Sequence, residues 1–546
     1  MSAKQRDNYN NQMREKKGLP YSISDSVSTI GLVFTSSTTP SNFRLPRRLP
    51  TLNTRFRPSI EESMPPDPML TKDPKLYYLL QKWDKPEKRK YKCFIGPGNV
   101  DAVIRVLKNR DCWLFLENMN DVRVQLIWKQ THSGINYSNY SNQTLESTKT
   151  INHFEFHQEI SQKDLLLKNF SRLCETKGLQ VFEYLPPSFE IKLDAKSQPA
   201  VMAGMKILCD VISRAPVQPN GVFIDQELKR QSEQGLFKYS EAKRKLTELF
   251  DGTTEVKYLS ASMHQGQNLW IAKPIDFNRG VGIELFSSMQ DFPKVMKDID
   301  SKVKQSRAVG SITGPPPRKL VIQKYIESPL LIHGRKFDIR MWVLLDSFLN
   351  VYIFPEGYLR LSAEEFSLSN KDKYIHLTNN AIQQHSANYQ KFEKGNQLSF
   401  ADFKNYLNSN PELGIDWSGV VYPRLLTLTK MAFESVSYKL NSNSREKLFE
   451  LFGMDFMVDS QGQAWLIEVN TNPCLALSSP LLGKLIPRML DDALKIVLDP
   501  LFPPPSPMRK EVYSVPGYKD SHNLFVKLQY TGVWGLGFGV WGLGFG

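Results

Sequence analysis

Short apolar blocks crowd the stretch from Lys319 to Leu361: KLVIQKYIE, KFDIRMWVLL, NVYIF and YLRLS. Blocks of this length, broken by turn residues, predict strands. In KFDIR (336–340) strict alternation puts Lys336, Asp338 and Arg340 on one face and Phe337 and Ile339 on the other. LFGMDFMVDSQGQAWLIEVN reads as two apolar arms around Gln461-Gly462, a tight two-residue hairpin. That register sets Asp455 opposite Glu468 and Gly453 opposite Asn470. It also pairs Val458 with Trp465, Phe456 with Ile467 and Met454 with Val469 on the core face.

Upstream, YKCFIGPGN predicts a strand and turn, VDAVIRVLKNR an amphipathic helix and CWLFLE a second strand. This small unit closes near Ser141 in the polar loop NYSNYSNQT. SQKDLLLKNFSRLCETKG has helical spacing, with Ser161 as its expected cap and Gly178 as its stop. VFEYLPPSFEI is extended, PAVMAGMKILCDVIS and SEAKRKLTELF are helical, and NLWIAKP is a strand. A last helix, LLGKLIPRMLDDALKIVL, precedes the proline-rich FPPPSPM (502–508), expected to end the core. The fold class is α/β (α+β). The expected organisation is a disordered basic region over 1–88, a small αβ domain over 89–150 and a central domain over 151–328. A C-terminal domain over 329–502 and a Pro/Gly-rich tail over 503–546 complete it. The tail ends in VWGLGFG twice (533–539 and 540–546), low complexity with no fold assigned.

Hydrophobic residues make up 41% of the 546, enough for a sizeable core. The net charge of +14 points to an acidic partner: nucleic acid, anionic lipid or an acidic protein surface. No interleaved aromatic and basic module supports nucleic acid. The basic run KWDKPEKRKYKC (82–93) reads as a solvated entry to the first strand, with a dedicated binding patch the alternative. The most apolar stretch, MWVLLDSFLNVYIF, is broken by Asp346 and Asn350, so no membrane span is expected. The opening MSAKQRDNYNNQMREKKG lacks the apolar centre of a signal peptide. Cys93, Cys112, Cys174, Cys209 and Cys474 form no CxxC pair, which argues against a disulfide framework or a zinc site and fits a reducing compartment.

The chemistry concentrates on the polar hairpin face. Two carboxylates side by side, Asp455 and Glu468, repel unless something cationic joins them. With Asn470 they form a set of hard oxygen donors that suits Mg²⁺ bridged to nucleotide phosphates. The alternatives are a face open to water or carboxylates paired with arginine. In NLWIAKPIDFNRGVGI, Lys273 ends an apolar strand before a loop carrying Arg279, Gly280 and Gly282. A point charge beside glycines suits phosphates, although a surface turn reads equally well. The Lys336/Asp338/Arg340 face can take a zwitterion or a phosphate, or be a salt-bridge ladder. Arg360 in YLRLS adds a cation, and HLTNN (376–380) adds His376, Thr378, Asn379 and Asn380. Lys324 in VIQKYIE lies on a strand that could wall an adenine slot, or it snorkels from a buried strand. No GxSxG, HExxH or kinase HRD–DFG set competes.

The combination of KP…RGVGI (273–283), QKYIESPLLIHGRKFDIRMWVL (323–344), EGYLRLS (356–362), HLTNNAIQ (376–383) and GMDFMVDSQGQAWLIEVNTNP (453–473) resembles the tubulin tyrosine ligase-like family. INHFEFHQEISQKDLLLKNF and YLPPSFEI extend the resemblance over about residues 90 to 502. The resemblance implies an ATP-grasp-like fold and ATP-dependent joining of an amino acid to a protein carboxylate, through an acyl phosphate. ATP and Mg²⁺ are the implied cofactors. The implied partners are the acidic C-terminal tails of tubulin and a free amino acid, with no nucleic acid, no membrane and a monomeric enzyme. The implied place is the cytoplasm, at microtubules, with the cilium or basal body a further setting. Carried over by motif, Lys273, with Arg279, Gly280 and Gly282, would bind phosphates. Gln323, Lys324, Tyr325 and Ile326 would line the base slot, with Asp338 at the ribose or the reacting ends and Thr378 nearby. Arg340 and Arg360 would steady the acyl phosphate or the amino acid. Lys336 and Asn379 would join the amino-acid site, and Asp455, Glu468 and Asn470 would hold Mg²⁺. KFDIRMWVL and HLTNNAIQ lie nearer to the tyrosine and glycine ligases than to the glutamylases, whose patterns often read KFDLRIYVL and HLTNYS. Val281 stands where family members often carry a basic residue. Tyrosine or glycine is therefore favoured over glutamate. The alternative is a catalytically inactive, microtubule-binding pseudoenzyme of the same fold.

Overall fold

The computed structural model describes residues 91–140, 149–193, 198–250, 255–275, 277, 280–308, 319–471, 473–505 and 511–529. The basic region 1–88, most of the 82–93 run, Arg279 and the VWGLGFG repeats lie outside the described residues.

The first described unit is a parallel sheet. Strand β1 (Tyr91–Ile95) runs between β2 (Trp113–Leu116) and β3 (Leu126–Trp128), and β4 (Thr150–Ile151) adds beyond β3. Parallel neighbours need a crossover. The helix Asp101–Asn109 supplies it and buries Ala102, Val103, Val106 and Leu107 on one face. After a four-residue helical turn, Gln158–Ser161, comes the helix Lys163–Thr176. Ser161 is not its cap: extended Gln162 stands at the N-cap, with no side-chain capping bond, and Ser161 closes the preceding turn. The far end stops where expected. Gly178 takes φ +66°, and the Gly178 and Leu179 N–H groups donate back to the Glu175 and Cys174 carbonyls at 3.1 and 2.8 Å. That left-handed glycine satisfies carbonyls the helix end would otherwise orphan.

The chain then lays down β5 (Ser188–Lys192), a ribbon of β6 (Val222–Phe223) and β7 (Tyr258–Leu259), β8 (Trp270–Pro274), β9 (Glu284–Phe286) and β10 (Lys319–Lys324). In the order β5, β10, β8, β9 they make an antiparallel sheet. Next come β11 (Leu331–Ile332), β12 (Arg335–Leu345), β13 (Val351–Ile353), β14 (Tyr358–Glu365), β15 (Gln397–Ser399), β16 (Glu450–Val458), β17 (Ala464–Asn470) and β18 (Val526–Lys527). These eight form one larger sheet around β12, which pairs with β11, β13, β14 and β16. Every residue of β12 is buried, so both of its faces are covered. Phe337, Ile339, Met341, Val343 and Leu345 enter the main core, as the alternation predicts. Trp342 and Leu344 enter a second core, shared with Tyr91, Cys93 and Trp128 of the parallel sheet and with Leu485, Ile486 and Met489 of the helix Pro480–Val497.

The packed chain does not end at the proline-rich stretch. Residues 511–529 return to the body: β18 pairs with β13, and Tyr513, Val515, Leu524 and Phe525 join the second core. The fully buried Arg488 guanidinium bonds Asp492 at 2.7 Å and donates to the carbonyls of Tyr513, Lys519 and His522. The tail expected from residue 503 is therefore too long by this whole segment.

The hairpin also differs from expectation, in two ways that cancel. Its turn holds three residues, Ser460 to Gly462. Asp459 donates its N–H to the Gln463 carbonyl, and Gly462 sits at φ +81°. Phe456 therefore faces Leu466, and Val458 faces Ala464, rather than Ile467 and Trp465. A bulge between Asp455 and Phe456 then shifts the register back, so Asp455 meets Glu468, Met454 meets Val469 and Gly453 meets Asn470, as read from the sequence.

Candidate active site

The two antiparallel sheets face each other across a cleft. Its apolar side is lined by Ile271 on β8, Ile283, Tyr325 after β10 and Leu377, with Leu269 and Ile382 in the same apolar cluster. Ile326 and the backbone after β10 border the same cavity.

At one end lies Lys273, on β8 and 8% exposed. Its ammonium donates to Gln323 Oε1 at 2.6 Å, and among the described residues no carboxylate lies within ion-pairing distance of it. Burial drives its pKa down to about 8; Lys163 pushes the same way, while Glu468 and Asp455 partly offset the shift. Lys163 lines the cavity too. Sequence reasoning missed it; the available signal was a lysine opening a helix whose other polar residues had no stated role. Among the described residues its ammonium donates only to the Phe277 carbonyl, at 3.4 Å. Lys163 is half-buried and Lys273 buried, and among the described residues neither ammonium has an anion paired to it. Two such lysines around one cavity fit a polyphosphate.

The glycine loop lies over this end. Gly280 and Gly282 hold φ +77° and +70°, where a side chain is strained. A Cβ on Gly280 would meet Ile382 Cδ1 at 2.4 Å, so the loop packs directly against the helical turn Asn380–Gln383. Asn379 precedes that turn, makes no capping bond and lines the cavity. Gly282 packs against Pro274 instead.

Lys336 occupies the apolar side. Its Nζ donates to Tyr325 Oη at 2.9 Å and to the His376 carbonyl at 2.8 Å, and burial lowers its pKa to about 7. His376 Nε2 lies 2.6 Å from the Asn370 carbonyl and must donate to it. Burial lowers the His376 pKa to about 4, so at neutral pH Nδ1 is bare and accepts from Tyr325 Oη at 2.8 Å. Lys336, Tyr325 and His376 are thus one fixed chain. Lys324 is matched differently from Lys273. It borders the cavity, but its ammonium is spent on Glu327 at 2.6 Å and the Leu269 carbonyl at 2.9 Å. Glu327 also accepts from the backbone N–H groups of Gln265, Gln267 and Leu269. The snorkelling alternative fails, because this lysine is fully buried.

The far end is an alternating lattice of charge. Arg360 Nε and Nη2 hold Asp338 at 2.6 and 2.8 Å, and Nη2 reaches Asp455 at 2.8 Å. Arg340 holds Asp455 through Nε at 2.5 Å and Nη2 at 3.1 Å. Thr378 Oγ1 donates to Asp338. Register sets this up: Arg340 faces Asp455 across β12 and β16, Asp338 faces Arg360 across β12 and β14, and Glu468 stands opposite Asp455. Burial opposes the charge on Asp455, but the two guanidinium groups outweigh it and hold its carboxyl below the usual range. Burial likewise opposes the Arg360 charge, and Asp338 and Asp455 more than restore it. Gly453 makes room: a Cβ there would lie 3.0 Å from Arg340 Nη1. Asp338, Arg360, Asp455 and Glu468 line the cavity, with Arg340 and Asn470 bonded to Asp455 beside them.

Asp455 is therefore already neutralised by arginine, one of the alternatives the sequence left open. Glu468 keeps oxygen lone pairs: it accepts from Asn470 Nδ2 at 3.1 Å, and Asn470 also reaches Asp455 at 3.3 Å. Among the described residues no three His, Cys, Asp or Glu side chains gather as a metal cage. Glu468 and the Asn470 carbonyl are two hard oxygen donors. They fit a magnesium ion that keeps its waters and leans on phosphates.

An antiparallel sheet and a larger mixed-element domain closing on a lysine-lined, acid-tipped cleft define an α+β protein with an ATP-grasp-like fold. The Tubulin-tyrosine ligase family model matches residues 218–506, more than half of the 546, and the chain belongs to that family. It is 33% identical to "Tubulin glycylase 3D" of Tetrahymena thermophila over 238 residues, 42% of this chain and 21% of that protein. It is 32% identical to human "Tubulin monoglycylase TTLL3" over 245 residues, 43% of this chain and 30% of that protein. It is 30% identical to mouse "Protein monoglycylase TTLL8" over 239 residues, 43% and 27% respectively. The chain thus spans between a fifth and a third of the length of these relatives. No described helix is long and apolar enough to cross a membrane.

Proposed function

We propose that this chain is an ATP-dependent ligase that joins glycine to a side-chain carboxylate on the acidic C-terminal tails of tubulin. The observation that carries the reading is the pair of lysines, Lys273 and Lys163, set without anionic partners among the described residues, across the cleft from Glu468. Cations at one end and a carboxylate with free lone pairs at the other suit a nucleotide triphosphate lying between them, with its metal at the acidic end.

ATP supplies activation of the acceptor carboxylate as an acyl phosphate. The residues do the rest. Lys273 and Lys163 bind phosphate oxygens as point charges. Tyr325, Ile326 and Leu377 flank the base, and Lys336 is held at its edge by Tyr325 and the His376 carbonyl. Glu468 and Asn470 offer oxygens to Mg²⁺, and Asp455 anchors that pair without needing to bind the metal itself. Arg340 and Arg360, fixed by Asp455 and Asp338, are donors already aligned where negative charge develops on transfer. The loop at Gly280, seated on Ile382, excludes water from an intermediate prone to hydrolysis. Glycine as the added amino acid follows the relatives' names and HLTNNAIQ. The +14 balance would steer the chain to an acidic tail, in the cytoplasm at microtubules and in ciliary settings.

The test offers purified chain, Mg-ATP and tubulin with glycine, tyrosine or glutamate in turn, and weighs the tails by mass spectrometry. The expected result is a mass gain with glycine, lost in Glu468→Gln while the unfolding midpoint stays put. Gain with another amino acid replaces the glycine assignment. No gain with any, alongside retained microtubule binding, establishes the pseudoenzyme instead.

A further inference from the structure

Lys163 and Asp164 are neighbours at the start of one helix, yet they border different spaces. Lys163 lines the nucleotide cleft, whereas Asp164 lines a second cavity of about 450 Å³ bounded by the helix Lys163–Thr176, by β5 and by Leu249 and Phe250. That volume lies within the range of small-molecule sites.

The charge at its base is unbalanced. Asp164 is 6% exposed, and its Oδ2 accepts from Lys319 Nζ at 2.9 Å. Its buried Oδ1 accepts no hydrogen bond. Glu190, on β5, places Oε1 3.2 Å from the same Lys319 ammonium. Two carboxylates thus share one cation, and a buried carboxylate oxygen without a donor is costly. Beside them Phe182, Phe189 and Phe250 form an aromatic wall, with centroids 5.6 and 5.9 Å from that of Phe250. Surplus carboxylate beside aromatic rings is the chemistry of cation recognition. The exposed Lys168, Arg172 and Lys192 are set at the rim with Glu175, so the site disfavours a polycation.

We propose that this cavity is a second ligand site, for a singly charged amidinium, guanidinium or primary ammonium group on an aromatic or aliphatic body, and that its occupancy is felt at Lys273. Two links carry the coupling. Lys163 and Asp164 move as one helical turn. Ser188, which lines the second cavity, accepts from Gln323 Nε2 at 3.0 Å, while Gln323 Oε1 accepts from Lys273 at 2.6 Å. Glu190 and Lys273 also flank the same residue, Val321, from the two neighbouring strands. A cation drawn to Asp164 and Glu190 loosens their hold on Lys319, at the start of β10, and so shifts the strand that carries Gln323. Coupling of this kind is reciprocal between ligands.

The probe is benzamidine, titrated into the full chain by calorimetry with and without saturating ADP, and ADP titrated with and without benzamidine. Saturable binding is expected, weakened at least tenfold in Asp164→Asn and also weakened in the more exposed Glu190→Gln, both checked by unfolding midpoint. The ADP affinity should change by the same factor that ADP imposes on benzamidine. Absence of saturable binding, or binding that both variants leave unchanged, overturns the site. Binding abolished outright by ADP places benzamidine in the nucleotide cleft and overturns it equally. An ADP affinity indifferent to benzamidine overturns the coupling. None of these readouts needs turnover, so failure of the ligase assignment would not imitate any of them.

Discussion

Arg360 bridges two carboxylates that are themselves nearly dry, and its replacement gives the sharpest test of the charge lattice. In Arg360→Met the guanidinium leaves, and with it the two bonds to Asp338 at 2.6 and 2.8 Å and the contact with Asp455 at 2.8 Å. Asp455 keeps Arg340, but Asp338 keeps only the Thr378 hydroxyl among the described side-chain partners. Removing one member of a buried pair costs about 3–5 kcal/mol, because the other charge is stranded. The side chains of Arg360 and Asp338 are 9% and 12% exposed, so little of that figure is screened away. Removing the stranded charge as well, in Asp338→Asn/Arg360→Met, should recover at least ~2 kcal/mol of the loss, since neutral replacement of a whole buried pair costs little. The assay is denaturant unfolding of the two singles and the double, followed by nucleotide titration. Ligation should be lost in all three, because stability returns in the double but the aligned donors do not. An Arg360→Met cost below ~1 kcal/mol, or a double variant whose cost is the sum of the singles, would refute a buried, coupled pair.

Two further outcomes follow from the lysine end and its loop. The Lys273 pKa lies at about 8 in the free cleft, below the usual 10.5, and a phosphate partner raises it. Nucleotide binding should therefore take up a proton above pH 8 and weaken as pH rises, with that uptake absent in Lys273→Met; calorimetry in buffers of different ionisation enthalpy reads it. Because the folded value is depressed, the free chain should gain stability from this group as pH climbs from about 8 towards 10.5, and equal slopes for Lys273→Met and the parent would falsify the assignment. Gly280→Ala places a Cβ 2.4 Å from Ile382 Cδ1 at φ +77°, a backbone strain of about 1–2 kcal/mol before any clash. Nucleotide affinity should fall roughly tenfold, the equivalent of that strain, and an unaltered Kd would show that the loop does not take part in binding.

Local pattern carried the site a long way. Period-two alternation on β12 put Lys336, Asp338 and Arg340 on one face before any contact was known. The turn glycine drew Asp455, Glu468 and Asn470 together, although its loop was one residue longer than read and a bulge repaired the shift. What the pattern could not carry was partnership at a distance. Arg340 and Asp455 are 115 residues apart, and nothing local says that the carboxylate meets arginine before it meets a metal. Lys324 and Lys273 look alike on paper, yet among the described residues one is matched by Glu327 and the other by no acid. Lys163 stayed hidden because a lysine at a helix start is ordinarily solvated. The 511–529 segment lacked periodicity because it packs through scattered residues, Tyr513, Val515, Leu524 and Phe525, rather than through one regular face.

That returning segment has a practical edge. The family match stops at residue 506, and an expression boundary drawn there would discard it. Arg488 would then keep Asp492 but face three missing carbonyl acceptors, in an interior no solvent reaches. Asn109 would lose both of its 2.7 Å bonds to Glu511, and β13 would be left with a bare edge. A chain trimmed to homology should therefore precipitate or clump, and such a preparation would report on its own truncation rather than on catalysis.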